Sequence, residues 1–324
     1  MARRFVNQLG NQEAVDEVFL ASDKQLRPNR NGNLYLQVDL SDRSGTIGAR
    51  MWNASEALYR SFENGDFVRV EGTAQLFQGA MQLIVTRLEK VNPNQVDEND
   101  FILLGAREVE RLMRRLAELL RSMSDPHLRN LAECYLMDEA LMAKLARAPA
   151  GVKHHHAYPG GLLDHIVSLM EVVARVAPCY PRIDRDLLLT GAFLHDLGKL
   201  DELTYDREFG YSDEGQLIGH LVMGVRTLEL KAAEAERLSG EPLPSETLLR
   251  LKHMIVSHHG EYEFGSPKLP MTLEAMALYS LDFLDAKLNA FEQLLRDDAN
   301  VDSPWTAFHP NFGRKLYKGK PKSS

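Results

Sequence analysis

Leu34-Tyr35-Leu36-Gln37-Val38-Asp39-Leu40, continued by SDRSGTIGARMWN over residues 41–53, is the stretch on which the fold of the first half turns. Apolar residues occupy every second position of the first run, and Ile47, Ala49 and Met51 repeat the same beat. Period two puts successive side chains on opposite faces, so each run reads as a half-buried strand with one face in a core. Further along, Val68 and Val70 alternate in the same way. Turn signals divide these runs: Asn31-Gly32-Asn33, Asp42-Arg43-Ser44-Gly45, Asn64-Gly65-Asp66 and Gln78-Gly79. A short helical pattern, Ala54 to Phe62, separates the third strand from the fourth. Five strands with that one interruption predict a small closed barrel.

The order of these pieces resembles an OB-fold of the nucleic-acid-binding type over roughly residues 12–92, with YLQVDLSDRSGTIGARMWN and GDFVRVEGTAQLFQGAMQLIVTRLEKV as the matching segments. Such barrels hold single strands by base stacking and phosphate contacts. Alternation selects the side chains on the outer face: Tyr35 and Gln37 against Leu36 and Val38, Arg50 and Trp52 against Ala49 and Met51, Phe67 and Arg69 against Val68 and Val70. Tyr35, Arg50, Trp52, Phe67 and Arg69 are therefore the candidate nucleic-acid-binding residues. The competing reading packs these aromatics against the rest of the protein. Phe77 lies near a turn and is left unassigned.

Near Asn92-Pro93-Asn94 the pattern changes. The acidic Asp97-Glu98-Asn99-Asp100 reads as a linker, and from Gly105 onward the period is helical, with Leu112, Leu116, Leu119 and Leu120 as an apolar stripe. The expected class is thus multi-domain α+β, a five-stranded OB-type barrel followed by an all-α domain. Expected boundaries are 1–95 for the barrel, 96–150 for a linker and helical connector, 151–300 for the helical domain, and 301–324 for a basic tail. That tail, with Arg314, Lys315, Lys318, Lys320 and Lys322, reads as a solvated, frayed end.

Composition narrows the setting. The 324 residues are 44% apolar and 26% charged, ordinary values for a globular protein, and two cysteines make no disulfide framework. No run approaches the roughly 20 apolar residues that span a bilayer. MARRFVNQLGNQEAVDEV lacks the apolar core of a secretory signal. A cytoplasmic protein without a membrane partner is expected. The net charge of −8 argues against a generic duplex binder, although a local basic groove is compatible with it.

Chemistry concentrates in the second half. Helical phase points His165 inward with Leu162, Ile166 and Leu169, and His195 with Leu188 and Ala192, with Gly198 ending that helix. It groups His220 with Leu217, Leu221 and Gly224, and His258 with Leu251, Met254 and Ile255, leaving His259 at the edge. Asp282 follows Leu278 by one turn, with Asp285 on the same side. A lone inward histidine is most often a satisfied core residue. Four such histidines with Asp196 and Asp282, on separate helices, are reconciled best by a shared cation, because unpaired buried carboxylates are costly.

The pieces HHHAYPGGLLDH, FLHDLGKLDEL, GH followed by LVMG, VSHHGEYEFGSPKLP and SLDFLDAKLN resemble the HD superfamily of metal-dependent phosphohydrolases. Joined to the barrel, they look like the YhaM-type 3′–5′ exoribonucleases. The HD motif falls on His165, the His195-Asp196 pair and Asp282. The resemblance implies two divalent ions, bridged by Asp196, with His220 and His258 as added ligands and His259 replacing or joining His258. It implies manganese, with iron, cobalt, magnesium or nickel as alternatives, and single-stranded RNA as substrate, with single-stranded DNA in second place. A homo-oligomer is compatible with it. Asp196, Lys199 and His156 are the candidate catalytic residues. Lys199 reads either as a phosphate contact or as a lysine favoured by a helix C-terminus. His155 and His156 read either as phosphate-reaching or as loop residues. Asp285 either orients a ligand imidazole or pairs with Lys287. One departure is Leu278-Tyr279-Ser280-Leu281, where the family leads one to expect a small-residue segment; the Asp after it is kept. Alternatives are a phosphohydrolase of small or cyclic nucleotides, or a nucleic-acid-binding adaptor with a structural metal.

Overall fold

The structure is a computed structural model that describes residues 3–77, 80–101, 104–152, 158–205, 209–296, 298 and 303–319. The chain forms two compact units, Met1–Leu103 with Phe291–Ser324, and Leu104–Ala290.

In the first unit, β1 (Glu13–Pro28), β2 (Leu34–Asp42), β3 (Gly45–Trp52), β4 (Phe67–Phe77) and β5 (Ala80–Lys90) close into a barrel in the order β1-β2-β3-β5-β4. One long strand makes closure possible. The first half of β1 pairs antiparallel with β4, Glu13 opposite Ala74 to Leu20 opposite Phe67. Its second half pairs with β2, ending with Pro28 opposite Leu34. Between Ser22 and Gln25 the register shifts, and Asp23 takes a positive φ of 50°. Such a bulge bends the strand and raises its twist, letting one strand serve both seams of the barrel. A second irregularity falls at Glu71 and Gly72 of β4. There a Cβ would lie 2.4 Å from the Ile84 carbonyl oxygen, so only glycine permits the approach.

Alternation decides the interior. Leu36, Val38 and Leu40 of β2, Ile47 and Ala49 of β3, and Val68 and Val70 of β4 are buried with Phe19, Phe62 and Leu83. Each large side chain so buried stabilises the barrel by about 1.5–3 kcal/mol. Helix α1 (Glu56–Tyr59) fills the predicted interruption, its first turn capped by Ser55 Oγ accepting from the Leu58 N–H. The described part of the C-terminal segment is not the frayed end expected of it. Trp305 bridges Tyr317 and His309 bridges Arg314 in antiparallel fashion, Leu316 is buried, and Lys318 pairs with Asp298. Its order comes from those two bridges, the buried Leu316 and the Lys318–Asp298 pair.

The second unit is helical: α2 (Ala106–Arg121), α3 (Pro126–Leu136), α4 (Glu139–Leu145), α5 (Gly161–Val176), α6 (Arg185–Leu194), α7 (Lys199–Glu202), α8 (Asp213–Ile218), α9 (His220–Ser239), α10 (Ser245–Ser257) and α11 (Leu273–Arg296). A two-residue ribbon, β6 (Leu203–Thr204) with β7 (Gly210–Tyr211), lies between α7 and α8. The stripe Leu112, Leu116, Leu119 and Leu120 of α2 is buried in one core with Leu162, Ile166 and Leu169 of α5, Leu188 and Ala192 of α6, and Leu251 and Met254 of α10. Among the described residues, no helix is long and apolar enough to cross a membrane.

Two boundaries differ from expectation. Helix α6 ends at Leu194 rather than at Gly198, which has φ −61° and opens α7. Gly198 is small for another reason: a Cβ there would fall 2.0 Å from the His220 carbonyl oxygen. His220 does not share a helix with Leu217, which is 86% exposed on α8. Gly219, at φ 80°, breaks the chain between them, and His220 begins α9. It faces inward all the same, because the first turn of α9 packs against Gly198.

Candidate metal centre and nucleic-acid face

Five imidazoles and two carboxylates converge in the helical unit. His165 lies in the second turn of α5, whose start is set by Gly160 at φ 80°. His195 and His258 occupy the C-caps of α6 and α10, and each ring Nδ1 donates 2.8 Å to a carbonyl three residues back, Ala192 and Ile255 respectively. His259 Nδ1 donates to the Phe264 carbonyl at 2.9 Å. His165 Nδ1 binds Asp285 Oδ2, and His220 Nδ1 binds Glu202 Oε1, both at 3.0 Å. A carbonyl or carboxylate oxygen only accepts, so each Nδ1 carries a proton and, wherever the ring is neutral, Nε2 keeps a lone pair.

Those lone pairs point at one another. His165 Nε2 is 3.2 Å from His195 Nε2, and His220 Nε2 is 3.2 Å from His259 Nε2. Asp196 lies between the two pairs. Its Oδ2 is 3.8 Å from His165 Nε2 and 3.5 Å from His195 Nε2, while Asp282 Oδ1 is 3.3 Å from His165 Nε2. Its Oδ1 is 3.4 Å from His258 Nε2 and 3.6 Å from His220 Nε2. That Oδ1 is buried and has no hydrogen-bond partner. Three overlapping groups can each offer donors to one ion: His165, His195 and Asp282; His195, Asp196 and His258; and His220, His258 and His259. Facing lone pairs and an orphaned carboxylate oxygen repel unless a cation lies between them, and imidazole with carboxylate suits a divalent transition ion. The residues present fit divalent metal binding.

The electrostatics agree. Burial lowers the pKa of His195 and His258, and burial with the neighbouring His258 and His220 brings His259 down to about 4. These three rings are neutral donors at neutral pH. Burial lowers His165 too, but its hydrogen bonds to Asp282 and Asp285 win and raise it to about 10. The His165 ring is therefore held protonated by its carboxylates, and a cation bound at its Nε2 would displace that proton. Burial raises the Asp196 carboxyl, and Lys199 and His195 overcome this to hold it well below the usual carboxylate range. Lys199 Nζ donates to Asp196 Oδ2 at 2.7 Å. It lies in the single-turn α7, beyond the end of α6, and its charge is committed to Asp196.

The centre thus joins His165, His195, Asp196, His220, His258, His259 and Asp282, with Lys199 alongside and Asp285 orienting His165. His258 and His259 fall together with His220 in one potential donor group. His155 and His156 lie outside the described residues. Glu202 was missed: it accepts both the backbone N–H and Nδ1–H of His220 at 3.0 Å. Its helix is a single turn, too short for periodicity to mark a buried glutamate.

The barrel residues fall into two places. Tyr35 and Trp52 pair across β2 and β3, ring centroids 5.2 Å apart, and Arg50 lies 6.0 Å from the centroid of the unassigned Phe77. The β2–β3 face and the β4–β5 loop are where OB-folds bind oligonucleotides. Arg69 and Phe67 are elsewhere on the outer surface, a correction to the single array expected. Arg69 donates Nε and Nη2 to Asp16 at 2.7 Å each, among Glu71, Arg87 and Glu89. Phe67 packs on Phe101 with centroids 4.8 Å apart, and Arg3 covers Phe101. Strand alternation gives the face of a sheet but not the position around a closed barrel, which is why one array was expected.

Comparison with known proteins agrees with both units. Residues 20–91 match the OB-fold nucleic acid binding domain, and residues 162–287 match the HD domain. The chain is similar to the 3′-5′ exoribonuclease YhaM of Bacillus subtilis (strain 168), 33% identical over 284 residues, 87% of this chain and 88% of that one. The YhaM protein of Bacillus velezensis matches to the same extent. Among solved structures, the second OB-fold domain of replication protein A from Methanococcus maripaludis is 17% identical, covering 28% of this chain and 94% of that one with a TM-score of 0.23.

Proposed function

This chain belongs to the YhaM family of 3′–5′ exoribonucleases, and from that premise we propose how its own residues do the work. It is a metal-dependent hydrolase that removes nucleotides from the 3′ end of single-stranded RNA. The observation that carries the reading is the set of facing Nε2 lone pairs around the orphaned Oδ1 of Asp196.

In our reading, His165, His195, Asp196 and Asp282 would hold one divalent ion and Asp196, His220, His258 and His259 would hold a second. Manganese is the ion we favour, with iron, cobalt, magnesium or nickel as alternatives. Divalent cations would supply Lewis-acid polarisation of the phosphoryl oxygens and a water acidified toward neutral pH. Asp285 and Glu202 fix the direction of His165 and His220, so the rings are already aimed when the ions bind and His165 has only its Nε2 proton to lose. Lys199, tied to Asp196, is placed to meet a phosphate as a point charge. Tyr35, Arg50 and Trp52, now with Phe77, are proposed to stack bases of the bound single strand. Arg69, bound to Asp16, is the weakest member of the expected set. Single-stranded DNA is a secondary substrate in this reading, and the cytoplasm its setting.

The test is incubation with 5′-labelled single-stranded RNA and Mn²⁺, alongside metal analysis. A ladder shortening from the 3′ end, abolished by chelation, is expected. No cleavage with any divalent ion would sink the reading, and turnover of mononucleotides with oligonucleotides untouched would redirect it to small nucleotides.

A further inference from the structure

Beside the metal-facing side chains lies a cavity of about 280 Å³, lined by His258, His259 and Asp282 and by three aromatic rings, Phe264, Tyr279 and Phe283. Tyr279 and Phe283 are one turn apart on α11, with centroids 5.9 Å apart and planes at 49°, and Asp282 stands between them in sequence. Phe264 and Phe283 are 56% and 41% exposed. A single exposed aromatic is commonplace. Three on one cavity shared with metal-facing donors is a different matter.

The rings are held there by the ligand-bearing turn. The carbonyl of Phe264 accepts from His259 Nδ1, so the residue bearing one ring also orients one imidazole. Gly260, at φ 78°, follows His259, and a Cβ on it would fall 2.0 Å from Tyr279 Cε2. Glycine is required there twice, by the backbone and by the ring. The cavity is smaller than the roughly 300–1,000 Å³ of sites for drug-sized ligands, which suits a single planar ring system. Apart from the metal-facing donors, its lining offers three aromatic rings, the Tyr279 hydroxyl and the Ala286 methyl group. Faces stack on any base; reading base edges needs more polar groups than this.

We propose that this cavity is the subsite for the nucleobase of the 3′-terminal nucleotide, which stacks against Phe264, Tyr279 and Phe283 whatever its identity and so sets the phosphodiester on its 5′ side at the metal centre. The proposal rests on the exoribonuclease reading and goes beyond it. It explains what the Leu278-to-Leu281 segment contributes: Tyr279 is a binding residue of that segment.

Two experiments on the full chain test it. The first compares trimming of RNA ending in a normal 3′ nucleotide with RNA ending in an abasic ribose. The wild type should make the first cut on the abasic end roughly 5- to 100-fold more slowly, the loss of one base stack. Phe283→Ala and Phe264→Ala should each shrink that ratio while keeping wild-type metal content. The second places 2-aminopurine at the 3′ end and measures its fluorescence on metal-free protein. Quenching by the wild type, relieved in Phe283→Ala with RNA still bound by anisotropy, supports the subsite; a 2-aminopurine ten nucleotides upstream should respond equally in both. Equal trimming of both ends by the wild type, undiminished discrimination in both variants, or no difference in terminal quenching with RNA bound overturns the subsite while leaving the exoribonuclease standing. Failure of the wild type to trim the normal end overturns both.

Discussion

At Asp196 the two carboxylate oxygens face different partners, Oδ2 toward His165 and His195, Oδ1 toward His220 and His258. Asp196→Ala removes the shared group and strips Lys199 of its counter-charge. Metal content should fall for both sites, and 3′ trimming should drop by more than the roughly 10–100-fold that loss of an outer partner costs; trimming at wild-type rate would refute the shared role. Asp285→Asn is milder. The amide can still accept from His165 Nδ1 but without charge, so titration calorimetry should find metal affinity reduced by roughly 10–100-fold. Inward placement of these side chains was legible from helical phase at His165, His195 and His258. At His220 the direction was right for the wrong reason, since Leu217 is on another helix. Glu202 was illegible because one turn has no period.

Elements position these residues through their ends as much as their faces. His195 and His258 sit where α6 and α10 stop, and His220 where α9 starts. The crossing of α7 with α9 is set by Gly198. Gly198→Ala would drive a methyl group into the backbone of His220 and Gly224, and backbone cannot rotate aside. Destabilisation of about 1–3 kcal/mol or more is expected by denaturant titration, together with weakened metal binding as His220 shifts. An unaltered midpoint and affinity would show that α9 has more freedom than its packing implies. On the barrel, Trp52 pairs with Tyr35 on the β2–β3 face and is 48% exposed. Trp52→Ala should weaken single-stranded RNA binding by about 1–3 kcal/mol, read by fluorescence anisotropy, with metal content unchanged. Arg69→Ala, its charge already committed to Asp16, should weaken it less.

The whole molecule carries two separate cores, one in the barrel and one among the helices. Metal held only by the folded helical unit stabilises that unit by mass action, about 4 kcal/mol when the ion is a thousandfold above its dissociation constant. Calorimetry of chelated protein should therefore show the transition of the helical unit moving down while that of the barrel stays, and no shift on chelation would contradict the metal centre. Unfolding of two such units need not be two-state, so a single midpoint is not expected to describe it.

The sequence by itself determined the elements and their buried faces: period two in Leu34–Leu40 made strands, and period near 3.6 in α2, α5 and α10 made amphipathic helices, because both patterns are written in neighbouring residues. It also supplied a ligand inventory, since buried carboxylates among inward histidines are too costly to leave uncompensated. Only the tertiary structure decided which donors lie within reach of one ion. Residues 165, 195, 220, 258 and 282 are far apart in the chain and meet through helix crossings that no local period encodes. The same holds for the two positions on the barrel, for the bridged C-terminal segment, and for the aromatic cavity beside the centre. Each depends on where a closed sheet or a helix end comes to rest against residues distant in sequence.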